Sequence, residues 1–518
     1  MLGAVLNIPS LWFLSLAGLV PLLFFLTRYA KNVRDALLGG FLFGVIFFSI
    51  VLFFLFDMHP LTWAGISNPR TSLIFIFVVL AVSVITFSLF TALFAAAFHT
   101  LRRNTFFDII LGASLWVFFE WFGAFGFSLT SYGDGALVGS HWTFGNLGYA
   151  LSGSPLLPLA SLGGMYLLSF LVVSFNMSLC LWADFLWGKK RFAVSRRIFF
   201  FSIGACIALI SISVALGALS ANGSNAPPLS AAILYTDFPS YFSISSKESA
   251  AKKDALQTLL LSIAKEKQKP DIVVFPEDTR FLSSFSLADR ALLLQNVSGG
   301  ATMVFIDSAR TDIGGKTFSV LSYYDEKGNV LGEYKKLLLV PHGEYLPFFT
   351  GGLARMFGQG AWADAFMENR EYARGISPFV ARTKKGNFGG LFCSEILSGA
   401  LYATLARNGA EVLVNAVSLS FAHGSPLLAA QTRAQAQIRA AETGRFLLRA
   451  ANSAPALVVA PDGTVIAESP LGTGILYVHV ARITKQTPYV RIGNWILLFS
   501  VFIIFVSLRM RAKSKKTT

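Results

Sequence analysis

The sequence predicts a helical membrane bundle, then a strand–helix α/β domain, then one closing transmembrane helix. Three observations carry that reading. The 518 residues are 54% hydrophobic and only 14% charged, where soluble domains run to about a quarter charged. Apolar runs of about 20 residues, enough to cross a bilayer, recur through the first 219 residues and once near the end. Between them lies a stretch in which short apolar strands alternate with amphipathic helices, the mark of an α/β domain.

The spans fall at 10–27, 36–56, 72–98, 107–127, 161–187, 198–219 and 494–508, seven in all. The fourth carries Glu120 between Phe119 and Trp121 and is the weakest of them. Basic residues follow the odd-numbered spans: Arg28, Lys31 and Arg34, then Arg102 and Arg103, then "GKKRFAVSRR" (188–197) and "RMRAKSKK" (509–516). The alternate connections, "DMHPLTWAGISNPR" and 128–158, are nearly uncharged. The positive-inside rule makes the basic segments cytoplasmic. The opening "MLGAVLNIPS" has no basic side chain, so the N-terminus is expected outside, and it lacks the positive n-region of a signal peptide. The α/β domain between spans six and seven is then extracytoplasmic, and the C-terminus cytoplasmic. This placement accounts for much of the +15 formal charge without nucleic acid. The domain boundaries follow: 1–219 for the membrane part, 229–485 for the α/β domain, 493–509 for the last span and 510–518 for a basic tail.

"LSANGSNAPP" (219–228) reads as a linker. Beyond it, "SAAILYT", "DIVVFPE", "TMVFIDS", "NFGGLFCSE" and "EVLVNAVS" read as strands. Residues 247–267, 286–297 and 426–443 read as helices, and "DEKGNV" and "PDGT" as hairpin turns. Three cysteines, two of them in apolar runs, offer no disulfide framework or zinc spacing, and six scattered histidines form no HxxxH pair. No metal or other cofactor is expected. Few charges lie within the spans, which argues against a transporter.

Ligand sites in α/β domains form at the C-terminal ends of strands. Glu277 ends "DIVVFPE", Cys393 ends "NFGGLFC", and one lysine of the pair Lys335–Lys336 follows "NVLGEY". A carboxylate, an ammonium and a thiol can serve as base, oxyanion stabiliser and nucleophile, and the backbone N–H of Ser394 is a further candidate oxyanion donor. The same residues also suit plain structural roles: a buried hydrophobic cysteine, a strand-end acid and solvated lysines. His342 and His423 read as structural or surface groups. Ser418 with His423 lacks the GxSxG elbow of a serine hydrolase.

Four motifs occur in order: "VVFPED", "YKKLLLVPHGEYLP", "LFCSE" and "RAAETGRFLLRAANS". Together they resemble the carbon–nitrogen hydrolase (nitrilase) superfamily. "LVPHGEYLP" and the flanking spans narrow the resemblance to the bacterial apolipoprotein N-acyltransferases, over nearly the whole chain. The resemblance implies a nitrilase-like sandwich of α-β-β-α layers. It implies Glu277 as base, Lys336 as the catalytic lysine and Cys393 as nucleophile, with Glu344 and Glu395 as supporting acids beside Ser394. Alternation along a strand then turns Lys335 to the opposite side. The implied reaction moves an acyl chain from a membrane phospholipid, through a thioester on Cys393, to the α-amino group of a diacylglyceryl-cysteine on an apolipoprotein. The setting would be the bacterial plasma (inner) membrane.

Within 348–366, Phe348, Phe349, Met356, Phe357, Trp362 and Phe366 among glycines read as a lipid-facing arm, or else as a packed loop. The chain departs from the family pattern at four places. It has seven spans rather than eight, and Ser394 where tyrosine is usual. "NAVSLSFAHG" (415–424) has no tryptophan, and "ILYTDFPSYF" (233–242) lacks the usual glutamine–glycine–asparagine run. These departures bear on donor and acceptor preference. A membrane-tethered amidase and a non-catalytic lipid-binding relative are the rival readings.

Overall fold

The computed structural model describes residues 2–103, 105–186, 208–219, 227–241 and 244–514. Among these, six helical segments are long and apolar enough to cross a membrane: Pro9–Arg28, Val33–Val51, Pro69–Leu101, Phe107–Thr130, Leu157–Ala183 and Trp495–Lys513. They coincide with six of the seven expected spans. Ala208–Leu219 is a shorter apolar helix at the expected sixth position. The rest of that span, the 188–197 cluster, most of the linker and the end of the tail lie outside the described residues.

Glu120 sits well inside the fourth helix because it has partners there. Its Oε1 accepts from Trp116 Nε1 at 2.8 Å, one turn back, and from the Leu147 N–H at 2.7 Å. A carboxylate in an apolar helix costs little when donors converge on it, and here it also pins the long 131–159 connection to the bundle.

The α/β domain has twelve strands: β1 Leu229–Thr236, β2 Ile272–Val274, β3 Val304–Ile313, β4 Lys316–Asp325, β5 Val330–Lys335, β6 Val380–Thr383, β7 Gly386–Phe392, β8 Val412–Ser418, β9 Leu447–Asn452, β10 Leu457–Val459, β11 Val465–Glu468 and β12 Gly474–Val480. They form two halves, β12-β1-β2-β3-β4-β5 and β11-β10-β9-β8-β7-β6. Among the described residues, the strands of the two halves pair with each other where Tyr235 and Thr236 meet Ala451 and Asn452. β1 shows the logic of the layers. Ala231 and Ile233 face the second half, in a core with Leu391, Val414 and Leu448. Ala232 and Leu234 face outward onto Leu256, Leu260 and Leu294 of the helices Ser246–Lys265 and Leu287–Ser298. The period-2 alternation of a strand buried on both faces produces this arrangement. Helices Gly399–Arg407 and Pro426–Thr443 cover the second half, completing the α-β-β-α layers.

Helix Pro426–Thr443 also docks the domain onto the bundle. Gln431 Nε2 donates to the Val51 carbonyl at 2.7 Å, and Glu442 accepts from the Met165 N–H at 2.8 Å. Trp495 Nε1, at the start of the last span, donates to the Leu162 carbonyl at 2.9 Å.

Candidate active site

Lys335 and Lys336 part company at the end of β5. The Lys336 N–H bonds to the Ser319 carbonyl at 2.9 Å, continuing the β4–β5 ladder, and alternation sends its side chain into the sandwich, where it is 1% exposed. Lys335 lies on the other side, its ammonium 4.6 Å from the Phe318 ring centroid. The buried ammonium is held by two carboxylates. Lys336 Nζ is 2.9 Å from Glu277 Oε1 and 2.9 Å from Glu344 Oε1.

Glu344 reaches Lys336 because "VPHGE" folds back on itself. His342 takes a left-handed φ of 64°, its N–H bonds to the Tyr345 carbonyl, and the Glu344 N–H to the Val340 carbonyl. Glu344 Oε2 then accepts from the Val340 N–H at 2.8 Å. Both oxygens are occupied, so the lysine meets a fixed carboxylate.

The apolar run after Lys336 leaves β5 and buries Leu337, Leu338 and Leu339. Buried backbone N–H groups need acceptors, and Glu395 supplies them. Its Oε1 accepts from the N–H groups of Leu337 (2.8 Å) and Leu338 (3.1 Å) and from the Tyr334 hydroxyl. Its Oε2 accepts from the Phe392 N–H at 2.7 Å. Glu395 is thus a buried bracket between the lysine strand and the cysteine turn. Ser394 Oγ adds a bond to the Leu338 carbonyl at 2.6 Å.

Cys393 is the first residue of the turn Cys393–Leu397 that follows β7. It is 8% exposed, and its Sγ points toward the Ser418 carbonyl at 3.7 Å, at the end of β8. Burial, then the Glu277 charge, push the thiol up to about 12, against the opposing pull of Lys336 and Arg449. At rest it is therefore a thiol that needs a base. Burial likewise raises the Glu277 carboxyl, with Lys336 working against that rise. For Lys336 burial acts to lower the value, but Glu277 and Glu344 outweigh it and hold the ammonium well above the ordinary range.

These groups line the floor of a cavity of about 250 Å³. Glu277, Lys336, Glu344, Cys393 and Ser394 belong to the α/β domain; Leu52, Phe75, Ile76, Val82 and Phe127 belong to the apolar helices. Trp142 and Phe144, from the 131–159 connection, also line it. That connection is tied to the cysteine turn, since Thr143 Oγ1 donates to the Leu397 carbonyl at 2.8 Å and His141 Nδ1 is 2.8 Å from Ser398 Oγ. None of the lining residues from the bundle or from the 131–159 connection was legible in the sequence as part of a site. Arg449 is a second omission. It is wholly buried and bonds Thr432 Oγ1 at 2.8 Å, and Thr432 lines the same cavity.

The expected arm divides in two. It forms the helices Phe348–Met356 and Gly360–Arg370. Phe348, Phe349, Met356 and Phe357 are exposed. Phe366 is fully buried with Leu346 and Ala363, and Trp362 packs 5.4 Å from Phe75 and donates to the Ala64 carbonyl at 3.1 Å. The second helix is packed rather than free, Trp362 against the bundle and Phe366 against Leu346 and Ala363. Trp362 and Phe366 thus leave the lipid-facing set. Ser418 and His423 do not form a pair with each other: Ser418 Oγ contacts Ser420 Oγ at 2.9 Å, and His423 Nδ1 lies 2.8 Å from the Asp57 carbonyl.

Residues 247–488 match the carbon-nitrogen hydrolase family, which makes the chain a nitrilase-superfamily protein carried on a membrane bundle. Residues 2–178 match the family described as the apolipoprotein N-acyltransferase N-terminal domain. The apolipoprotein N-acyltransferase of Pseudomonas syringae pv. tomato is 25% identical over 505 residues, covering 96% of this chain and 92% of its own length. That of a Nostoc species is 26% identical over 499 residues, 93% and 92% of the two chains. With both halves matched in order and relatives aligned nearly end to end, this chain belongs to the apolipoprotein N-acyltransferase family.

Proposed function

We propose that the chain transfers an acyl chain from a phospholipid to the α-amino group of a diacylglyceryl-cysteine at the N-terminus of an apolipoprotein, through a thioester on Cys393. The observation that carries this reading is the site's position. A buried carboxylate–ammonium–thiol set lies at the floor of a cavity whose walls come from apolar membrane helices. A soluble amide substrate has no need of such walls, whereas a fatty acyl chain does.

In the first step Glu277 accepts the proton of the Cys393 thiol. The thiolate attacks the ester carbonyl, and the Lys336 ammonium faces the negative charge that develops on oxygen. Collapse expels the lysophospholipid alkoxide, which takes the proton back from Glu277, and leaves the acyl thioester. In the second step the neutral acceptor amine attacks the thioester, the thiolate leaves, and the amide forms; Glu277 takes the amine's proton and returns it to sulfur. Glu344 and Glu395 act through Lys336 and the turn, as positioning residues. The apolar walls limit water at the thioester, which favours aminolysis over hydrolysis. The basic segments following the odd spans support an extracytoplasmic α/β domain and a cytoplasmic C-terminus.

The test is mass spectrometry of the Cys393 peptide after incubating the purified protein with phospholipid. A hydroxylamine-labile acyl adduct on Cys393 is expected. Folded protein that forms none contradicts the proposal.

A further inference from the structure

We propose that Lys252, Arg280, Arg310 and Arg370 form, beside the cavity, a binding site for the phosphodiester phosphate of the acyl donor's headgroup; this rests on the acyl-transfer reading above. The turn that follows Glu277 is where the cations gather. Asp278 and Arg280 both take left-handed backbone angles, φ 63° and 49°. Non-glycine residues adopt these at a cost and chiefly where a site requires it. The turn is held by Thr279 Oγ1 on the Pro276 carbonyl at 2.9 Å and by the Arg280 N–H on Ser308 Oγ at 3.3 Å. Arg280 Nη2 lies 2.5 Å from Asp278 Oδ1, and Lys252 Nζ donates to the Asp278 carbonyl at 2.5 Å.

The other two cations arrive from different elements. Arg310, on β3, is exposed and sits 4.9 Å over the buried Tyr372 ring. Arg370, at the end of the second arm helix, donates to the Tyr241 carbonyl and lies 5.8 Å over the Trp63 ring. Asp278 and Arg370 both line the cavity. Arg280 and Lys252 contact Asp278, and the charges of Arg310 and Arg370 also act on its exposed carboxylate. The neighbouring acids do not cancel the cluster: Lys336 offsets one of the pair Glu277 and Glu344, and Asp307, bonded only by the neutral Thr279 hydroxyl and Leu282 N–H, adds one more charge, so four cations face about three negative charges. The excess is positive, partly open to solvent, and one residue along the chain from the proposed base. A phosphodiester carries one negative charge and several acceptor oxygens, which guanidinium groups fit better than any other side chain. Bound there, the headgroup would stand at the mouth while the acyl ester enters between the apolar walls.

The test uses the full chain in mixed micelles and reads acyl-adduct formation on Cys393 with two donors, phosphatidylglycerol and the uncharged ester p-nitrophenyl palmitate. Arg310→Gln and Arg310→Ala are the variants, since Arg310 is exposed, lies outside the cavity lining and does not touch the triad. Each should raise KM for the phospholipid about tenfold, the loss of one charged hydrogen bond. KM for the uncharged ester should move less than about twofold. Added salt should weaken phospholipid use by the native protein more than by the variants. Equal KM changes for both donors, or none for the phospholipid, overturn the proposal. Competition by inorganic phosphate, at matched ionic strength and without a phospholipid KM effect in the variants, would assign the cluster to free phosphate and overturn it as well. Native protein acylated by neither donor would instead sink the acyl-transfer reading.

Discussion

Replacing Lys336 by methionine is the most informative perturbation, because the lysine is both a structural and a chemical centre. Its ammonium is 1% exposed and bridges Glu277 and Glu344 at 2.9 Å each. Methionine fills the same volume but leaves a buried carboxylate without its counter-charge. Breaking a buried pair from one side costs about 3–5 kcal/mol. The loss should depend on pH, and its sign follows from linkage. Without the lysine, burial and the neighbouring charges of Glu344 and Asp278 act on Glu277 unopposed, so its folded-state value lies still further above that of the unfolded chain. The folded state then binds more protons, and stability falls as pH rises between the two values. In the native protein the Glu277 carboxyl is already pushed up to about 8, so thermal unfolding in detergent should show a deficit relative to the native protein that is level below that pH and grows from pH 8 to pH 10. Acylation of Cys393 should fall by at least about 100-fold, the usual effect of removing an oxyanion partner. Lys335→Ala is the control. It removes a half-exposed ammonium stacked on Phe318 and should cost no more than about 1 kcal/mol. If Lys335→Ala slows acylation as much as Lys336→Met, the register is wrong. If the stability deficit is the same at pH 8 and pH 10, the ionised pair is not what the lysine supports.

Three further outcomes follow from the geometry. Acylation in the native protein should decline on the acid side well above pH 4.5, because burial raises Glu277 and its protonated form cannot take the thiol proton; a pH–rate profile checks this, and an acid limb near 4 would contradict it. Glu395→Gln puts an amide where four donors converge on two oxygens. At least one buried N–H is left facing a donor, so a loss of about 1–3 kcal/mol is expected in the unfolding midpoint, together with slower acylation. Serine at any one of Phe348, Phe349, Met356 and Phe357 should weaken use of phospholipid in vesicles by about tenfold or more, since each large apolar side chain inserted in lipid contributes on the order of 1.5–3 kcal/mol. A soluble short-chain ester should be affected much less, and equal loss with both would mean the arm supports the fold instead.

Much of this protein was legible without coordinates, and the reason is that the legible features are local. Hydropathy over about 20 residues marks a span, and six of the described helices fall where it placed them. A strand's alternation separates Lys335 from Lys336, and strand ends locate Glu277 and Cys393. The helix at 426–443 needs only its own periodicity. Trp362 and Phe366 show where such reasoning stops: their apolar character announced a surface to bury, but not which one, and the bundle claimed Trp362 while Leu346 and Ala363 claimed Phe366. Glu120 reads as a flaw in a span until Leu147, far along the chain, supplies an N–H. Glu395 has the same history, since the N–H groups it satisfies belong to a loop 57 and 58 residues away. The cavity is the extreme case. Its floor is one domain and its walls another, brought together through Gln431, Glu442 and Trp495. Chain chemistry by itself determined the spans and the strands, because each answers to neighbours within a turn or a strand; the choice of Glu277, Lys336 and Cys393 as the candidate reactive side chains came with the family resemblance. Only tertiary structure decided what those side chains face, because that depends on contacts whose partners are hundreds of residues apart.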